Sequence, residues 1–280
     1  MTTTDKSTPT DLAAKSGAHQ NRLAATGLTV GYDGPPIISD LDIAIADKAI
    51  TTVIGPNGCG KSTLLRTMAR LLRPSAGTVW LDGADITTIK PRTVARTLGL
   101  LPQNPIAPDG LTVFDLVARG RHPHQHWYQQ ASVQDERAIV NALQLTDTLD
   151  LADRHVGALS GGQRQRVWIA LTLAQETDLL LLDEPTTFLD LAHSIEVLDL
   201  VQTLRTEHGK TVIMVLHDLN LAARYSDSLF VMRSGEIVAH GSPAEVLTTQ
   251  LLNDAFGLRS QIIEDPVSGG PLIVPVGSRR

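Results

Sequence analysis

Apolar and polar residues alternate in short runs over 23–45, broken by Gly31, Asp33-Gly34 and Pro35-Pro36, a pattern of antiparallel strands and turns. The blocks that follow are different. Thr51-Thr52-Val53-Ile54, 179–182 and 212–216 hold almost no charged residue, and their length suits strands of a parallel sheet buried on both faces. Between them the spacing becomes helical. Leu64, Met68, Leu71 and Leu72 share one face, and Val167, Ala170, Leu171 and Ala174 share another behind Ser160, a natural N-cap. Helical spacing also covers 189–207 and 219–225, with short strands at 229–232 and 237–240 around the turn Ser234-Gly235. From Thr112 to about Leu151, helical patterns alternate with a loop rich in proline and histidine at 121–127. Strands alternating with helices predict an α/β fold, a mostly parallel sheet with helices on both faces. Residues 1–20 are small and polar without a sustained period, which predicts a disordered tail. The stretch 251–280 reads as a short extension, rich in glycine and proline near its end.

Composition changes this picture little. The chain has 280 residues, 42% of them hydrophobic, enough for a sizeable core. A net charge of −6 weighs against a nucleic-acid partner, which normally needs a basic face. Cys59 is the only cysteine, so no disulfide can form within the chain, and a reducing compartment fits. The first residues lack the apolar core of a secretory signal, and no apolar run approaches the roughly 18 residues of a membrane span. Any membrane role must therefore work through another chain.

Candidate chemistry concentrates first at Gly55-Pro56-Asn57-Gly58-Cys59-Gly60-Lys61-Ser62-Thr63, which fills every fixed position of G-x-x-x-x-G-K-[ST]. A strand precedes it and a helix follows, the context that a phosphate-binding loop requires. Glycines let the backbone wrap phosphates closely, so that several N–H groups and a helix N-terminus face negative charge. Lys61 adds a full positive charge, and the Ser62 hydroxyl can ligate Mg²⁺ beside ATP. On this loop alone, kinases, GTPases and translocases all remain open.

Farther along stands Leu159-Ser160-Gly161-Gly162-Gln163. By average residue usage such a pentapeptide arises by chance in roughly a few per ten thousand chains of this length. Ser160 and the amides of Gly161 and Gly162 form another helix start suited to a terminal phosphate, or a plain N-cap. With both motifs in this order, and Asp183-Glu184 ending an apolar strand, the chain resembles the ATP-binding cassette (ABC) family. The resemblance covers about 21–250.

It implies a P-loop NTPase core, an antiparallel β subdomain, and an α-helical subdomain inserted at about 104–165. It also implies roles. Asp183 would hold the Mg²⁺ shell with Ser62 and Gln103, and Glu184 would be the general base for the attacking water. His217 would touch the γ-phosphate, Gln103 would report to a membrane partner, and Tyr32 would stack on adenine. Asp190 would sit in a loop that crosses to a second ATPase subunit, whose phosphate loop holds the nucleotide that Ser160–Gln163 closes over. Read without the resemblance, Asp183-Glu184-Pro185 is also a polar turn, His217 a strand-end structural histidine, Tyr32 a turn tyrosine and Gln103 a solvated loop residue. One departure is visible: family members often carry glycine in the turn before the phosphate-loop strand, where this chain has Asp47-Lys48-Ala49. The alternating His122, His124 and His126 could face a transition metal from an extended segment. The resemblance places them instead in the subdomain that faces membrane partners, and this plainer reading is preferred.

Two phrases refine the match, Leu116-Val117-Ala118-Arg119-Gly120-Arg121-His122-Pro123-His124 and Pro185-Thr186-Thr187-Phe188-Leu189-Asp190-Leu191-Ala192-His193. Both are similar to ATPases of importers for iron(III)-siderophores, haem and cobalamin, with iron(III)-siderophore uptake the leading expectation. The expected partners are a second, identical ATPase subunit, two membrane permease subunits and, indirectly, a substrate-binding protein. The expected place is the cytoplasmic face of the cell membrane. The competing expectation is a soluble ABC ATPase acting on nucleic acid or a protein assembly.

Overall fold

The computed structural model describes residues 21–32, 34–125, 132–187 and 189–278; the tail expected at 1–20 and His126 lie outside these residues. Strands β1 (Leu23–Val30), β2 (Ile38–Ile45) and β3 (Ile50–Ile54) lead into helix α1 (Lys61–Met68). Then come β4 (Ala76–Leu81), β5 (Ala84–Asp85), α2 (Pro91–Thr97), β6 (Leu98–Leu101), α3 (Val113–Ala118) and α4 (Val133–Leu145). The second half runs α5 (Gly161–Ala174), β7 (Leu179–Asp183), α6 (Leu191–Thr206), β8 (Thr211–Val215), α7 (Leu219–Tyr225), β9 (Ser228–Arg233) and β10 (Glu236–Gly241). It closes on α8 (Pro243–Val246), α9 (Thr249–Phe256), β11 (Leu258–Glu264) and β12 (Pro271–Ser278).

The main sheet has the order β10-β9-β3-β8-β7-β6, parallel throughout except for edge strand β10. A separate antiparallel sheet, β2-β1-β4-β5, accounts for the alternating N-terminal pattern. The apolar blocks form β3, β7 and β8, whose every residue is buried. Successive side chains on a strand face opposite sides. Leu180, Leu182, Val212 and Met214 therefore join one apolar cluster with α5 and α6, while Leu179, Leu181, Ile213 and Val215 join the other with α1 and β1. Two cores share one sheet. The carboxyl ends of β3, β6, β7 and β8 consequently fall along one edge, where α/β sheets place their ligands.

Arg121 fixes the helical region. Its guanidinium, 2% exposed, donates to Asp135 at the start of α4 (2.9 Å), to the Ala174 carbonyl (2.7 Å) and to Glu176 (2.7 Å). Burial would push the Asp135 carboxyl up, but the Ser132 and Arg121 hydrogen bonds outweigh it and hold the group at about 2. Breaking one member of such a buried pair is far costlier than the pair is worth.

The structure departs from the sequence pattern in three places. Helix α1 ends at Met68 because Arg70 takes a left-handed turn (φ 60°) and the Leu71 amide bonds back to Arg66; Leu71 is 69% exposed, not on a buried face. Residues 98–101, where the sequence pattern suggests no element, form a strand against β7. The stretch after Gly257 is an antiparallel hairpin, β11-β12, docked on α7. Asn220 of α7 donates to the Ile273 carbonyl (3.1 Å) and accepts from its amide (2.7 Å), and Ile273 is 3% exposed.

Candidate nucleotide site

The phosphate-binding candidate lies between β3 and α1. Gly55 cannot be replaced there: a Cβ would sit 2.2 Å from the Met232 carbonyl oxygen and 2.8 Å from Cys59 Sγ. Gly58 and Gly60 turn the chain through φ 77° and 108°, leaving Asn57 and Gly58 exposed at the rim and Cys59 buried beneath. Pro56 and Thr63 complete the loop. The first amides of α1 have no carbonyl partner within the helix and remain available to an anion. The Lys61 ammonium, only 5% exposed, donates to the carbonyls of Gly55 (2.8 Å) and Pro56 (3.0 Å), so a full positive charge is held inside the loop.

The turn ahead of β3, where Asp47-Lys48-Ala49 replaces the family glycine, is closed in another way. Lys48 takes φ 53°, its amide donates to Thr211 Oγ1 (2.7 Å), and that hydroxyl donates to Asp47 (2.7 Å).

Beside the loop, Ser62 Oγ donates to Asp183 Oδ1 at 2.9 Å. The other carboxylate oxygen, Asp183 Oδ2, is buried without a hydrogen-bond partner. Burial pushes the Asp183 carboxyl above its ordinary value; the Ser62 hydrogen bond works against that shift and the neighbouring Glu184 charge adds to it. A buried, unsatisfied carboxylate oxygen beside a hydroxyl is the hard-oxygen environment that suits Mg²⁺. These residues fit the ion.

Glu184 follows Asp183 and takes a left-handed backbone (φ 56°), uncommon for a side-chain-bearing residue and concentrated at functional sites. Its side chain is gripped from three directions. His217 Nε2 donates to Oε1 at 2.5 Å, Thr187 Oγ1 donates to Oε2 at 2.8 Å, and the Gln103 side chain stands near enough to favour the charged form. Burial alone would raise its pKa, but the donors from His217, Thr187 and Gln103 prevail and hold it below the ordinary value. It is thus ionised and only 7% exposed, as a base must be.

The sheet edge therefore gathers Lys61, Ser62, Gln103, Asp183, Glu184 and His217 from four strand ends. Thr187 belongs with them and was not singled out from the sequence; a threonine inside a turn carries no pattern of its own.

The remaining candidates lie apart. Tyr32 is 54% exposed, and its hydroxyl accepts from Arg66 at 3.3 Å. Ser160 caps α5 through the amide of Gln163 (3.3 Å), and the Gln163 side chain accepts from the Ser160 amide (3.1 Å). Among the described residues no hydrogen bond joins this turn to the 55–62 loop. Asp190 caps α6 through the His193 amide at 2.9 Å. His124 Nε2 donates to the Gln175 carbonyl (2.8 Å), and among the described residues no three or more histidine, cysteine, aspartate or glutamate side chains gather as a metal-binding cluster.

The profile of the ABC transporter family matches residues 38–187. The chain is 51% identical to the ferric enterobactin transport ATP-binding protein FepC of Escherichia coli over 91% of its length and 94% of that relative. It is 54% identical to the achromobactin transport ATP-binding protein CbrD of Dickeya dadantii, over 90% of its length and 94% of CbrD. A solved metal-chelate type ABC transporter in an inward-facing conformation superposes with a TM-score of 0.80 at 29% identity, over 92% of this chain and 98% of that one.

Proposed function

This chain belongs to the ABC transporter family as an ATP-binding, ATP-hydrolysing subunit, and from that premise we propose that it energises import of iron(III)-siderophore complexes. Kinship with the enterobactin and achromobactin proteins over nearly the whole chain supports the cargo class. The observation that carries the chemistry is the grip of His217 and Thr187 on Glu184 beside Ser62 and Asp183.

The 55–63 loop binds the β- and γ-phosphates of ATP through its amides and Lys61, and Tyr32 offers an open aromatic face to adenine. Ser62, Asp183 and Gln103 would hold Mg²⁺, which when bound neutralises phosphate charge during transfer. Glu184, kept ionised, takes a proton from the attacking water, while His217 and Gln103 fix the carboxylate in place. Ser160 and Asp190 are exposed and make no hydrogen bond to their own phosphate loop among the described residues, so each would complete the site of a second copy.

No helix among the described residues is long and apolar enough to cross a membrane, which fits a subunit that docks on membrane-spanning permeases. Cells lacking this chain should lose uptake of radioactive iron(III)-siderophore and regain it with the wild-type chain but not with Glu184→Gln. Unimpaired iron uptake alongside lost haem or cobalamin uptake would reassign the cargo. In the purified chain Glu184→Gln should cut turnover about 10²–10⁴-fold while retaining ATP binding, the usual contribution of a positioned base.

A further inference from the structure

His193 stands where the two elements offered to a second copy meet. Its ring nitrogen Nδ1 lies 2.7 Å from Asp190 Oδ1, the oxygen that also accepts the His193 amide at 2.9 Å. A carboxylate can only accept, so the imidazole donates. Those two bonds, the backbone one foremost, hold the Asp190 carboxyl below its ordinary value. The opposite side of the ring lies against the Ser160–Gln163 turn. A Cβ on Gly162 would come within 2.8 Å of His193 Cδ2 and 3.2 Å of Cγ. A side chain at 162 would therefore displace this ring, whatever a phosphate also requires.

Two further contacts tie α5 to the same region. Gln165 donates to the Pro185 carbonyl (2.8 Å), and Arg166 pairs with Glu196 (2.9 Å). Neither touches Asp190 or residues 160–163. Of the three contacts, only His193 bridges both.

We propose that His193 is a positioning residue that locks the Asp190 loop to the Ser160–Gln163 turn, so that both reach the second copy as one preformed surface. The proposal rests on the two-copy reading of the site. Without the lock the two segments must be ordered separately on association, and that ordering lowers affinity. The variant His193→Asn lays its planar amide over Cγ, Nδ1 and Cδ2 of the imidazole, so it keeps both a donor and the atoms nearest Gly162. The variant His193→Phe keeps the ring and loses the donor.

The test uses the full-length chain in a Glu184→Gln background with MgATP, and reads the protein concentration at which half the chain is dimeric by sedimentation. His193→Ala should raise that concentration about tenfold, the loss of one charge-assisted hydrogen bond. His193→Phe should do the same and His193→Asn should restore most of it, with ATP affinity of the monomer unchanged in all three. Dimerisation of His193→Ala or His193→Phe at the parent's concentration would overturn the lock. So would a His193→Asn variant as weak as His193→Ala. If the Glu184→Gln parent itself forms no ATP-dependent dimer, the two-copy reading falls and takes this inference with it.

Discussion

Replacing Thr187 by valine removes a hydrogen-bond donor to Glu184 while changing little in size. The bond lost is 2.8 Å long, made by a neutral hydroxyl to an ionised carboxylate that is 7% exposed. Bonds to charged groups contribute about 1.5–3 kcal/mol. If that contribution is expressed in full as lost positioning of the carboxylate against the water, turnover falls about 10–100-fold at about 1.36 kcal/mol per decade. The same bond also helps to hold Glu184 below its ordinary value of 4.5. A carboxyl lowered on folding contributes stability that is present above the unfolded value and lost as pH falls through the folded one. Removing a donor narrows that window, and the acid limb of the rate profile moves toward higher pH. The assay is steady-state phosphate release across pH, at saturating MgATP, for Thr187→Val and Thr187→Ser. Serine keeps the hydroxyl and should stay within a few-fold of wild type, which separates the bond from loss of loop structure. A valine variant with wild-type kcat and an unmoved acid limb would refute the assignment of Thr187 as a support of the base.

Asp183→Asn should raise the melting temperature of the ligand-free chain at pH 7. Burial raises the folded pKa above the unfolded 3.8, so the ionised form subtracts stability at every pH above the folded value. The same variant should show no added stabilisation when Mg²⁺ accompanies ATP, whereas the wild type should, by thermal melting. Asn220→Ala removes both bonds to the Ile273 backbone and should cost about 1–3 kcal/mol in urea unfolding. Asn220→Asp, which keeps only the acceptor, should fall between it and wild type.

The parts of the site legible in the sequence are those whose geometry is local. A glycine loop between a strand and a helix is determined by neighbours, and so is an acidic pair at the end of a leucine-rich strand. What the sequence hides is created by pairing between distant segments. Leu98-Gly99-Leu100-Leu101 is short, contains a glycine and follows a helix, yet pairing with β7 makes it the strand that delivers Gln103. Pro271, Pro275 and the paired glycines at 269–270 argue against strands, but Pro275 is tolerated where the register shifts between Arg259 and Ser260. Leu71 fits the helical period of α1 and is exposed because Arg70 has already turned the chain. Thr187 becomes visible only through its distance to Glu184.

The three side chains that favour ionised Glu184 belong to three different segments, and this matters more than their number. Gln103 follows β6 and opens the connection to α3. Thr187 lies in the turn that continues to Asp190 and His193. His217 follows β8 and precedes α7, whose Asn220 is pinned to the C-terminal hairpin. Moving any one segment withdraws one donor from a carboxylate that burial alone would push toward its neutral form. The carboxylate is therefore held ionised and in place only when all three segments are seated. Because the donors share one acceptor, their losses should not add, and a double-mutant cycle between Thr187→Val and Gln103→Ala measures how strongly they depend on each other. Contacts made far from the 55–63 loop can thus set the state of the carboxylate proposed to activate water, using contacts already present in a single chain.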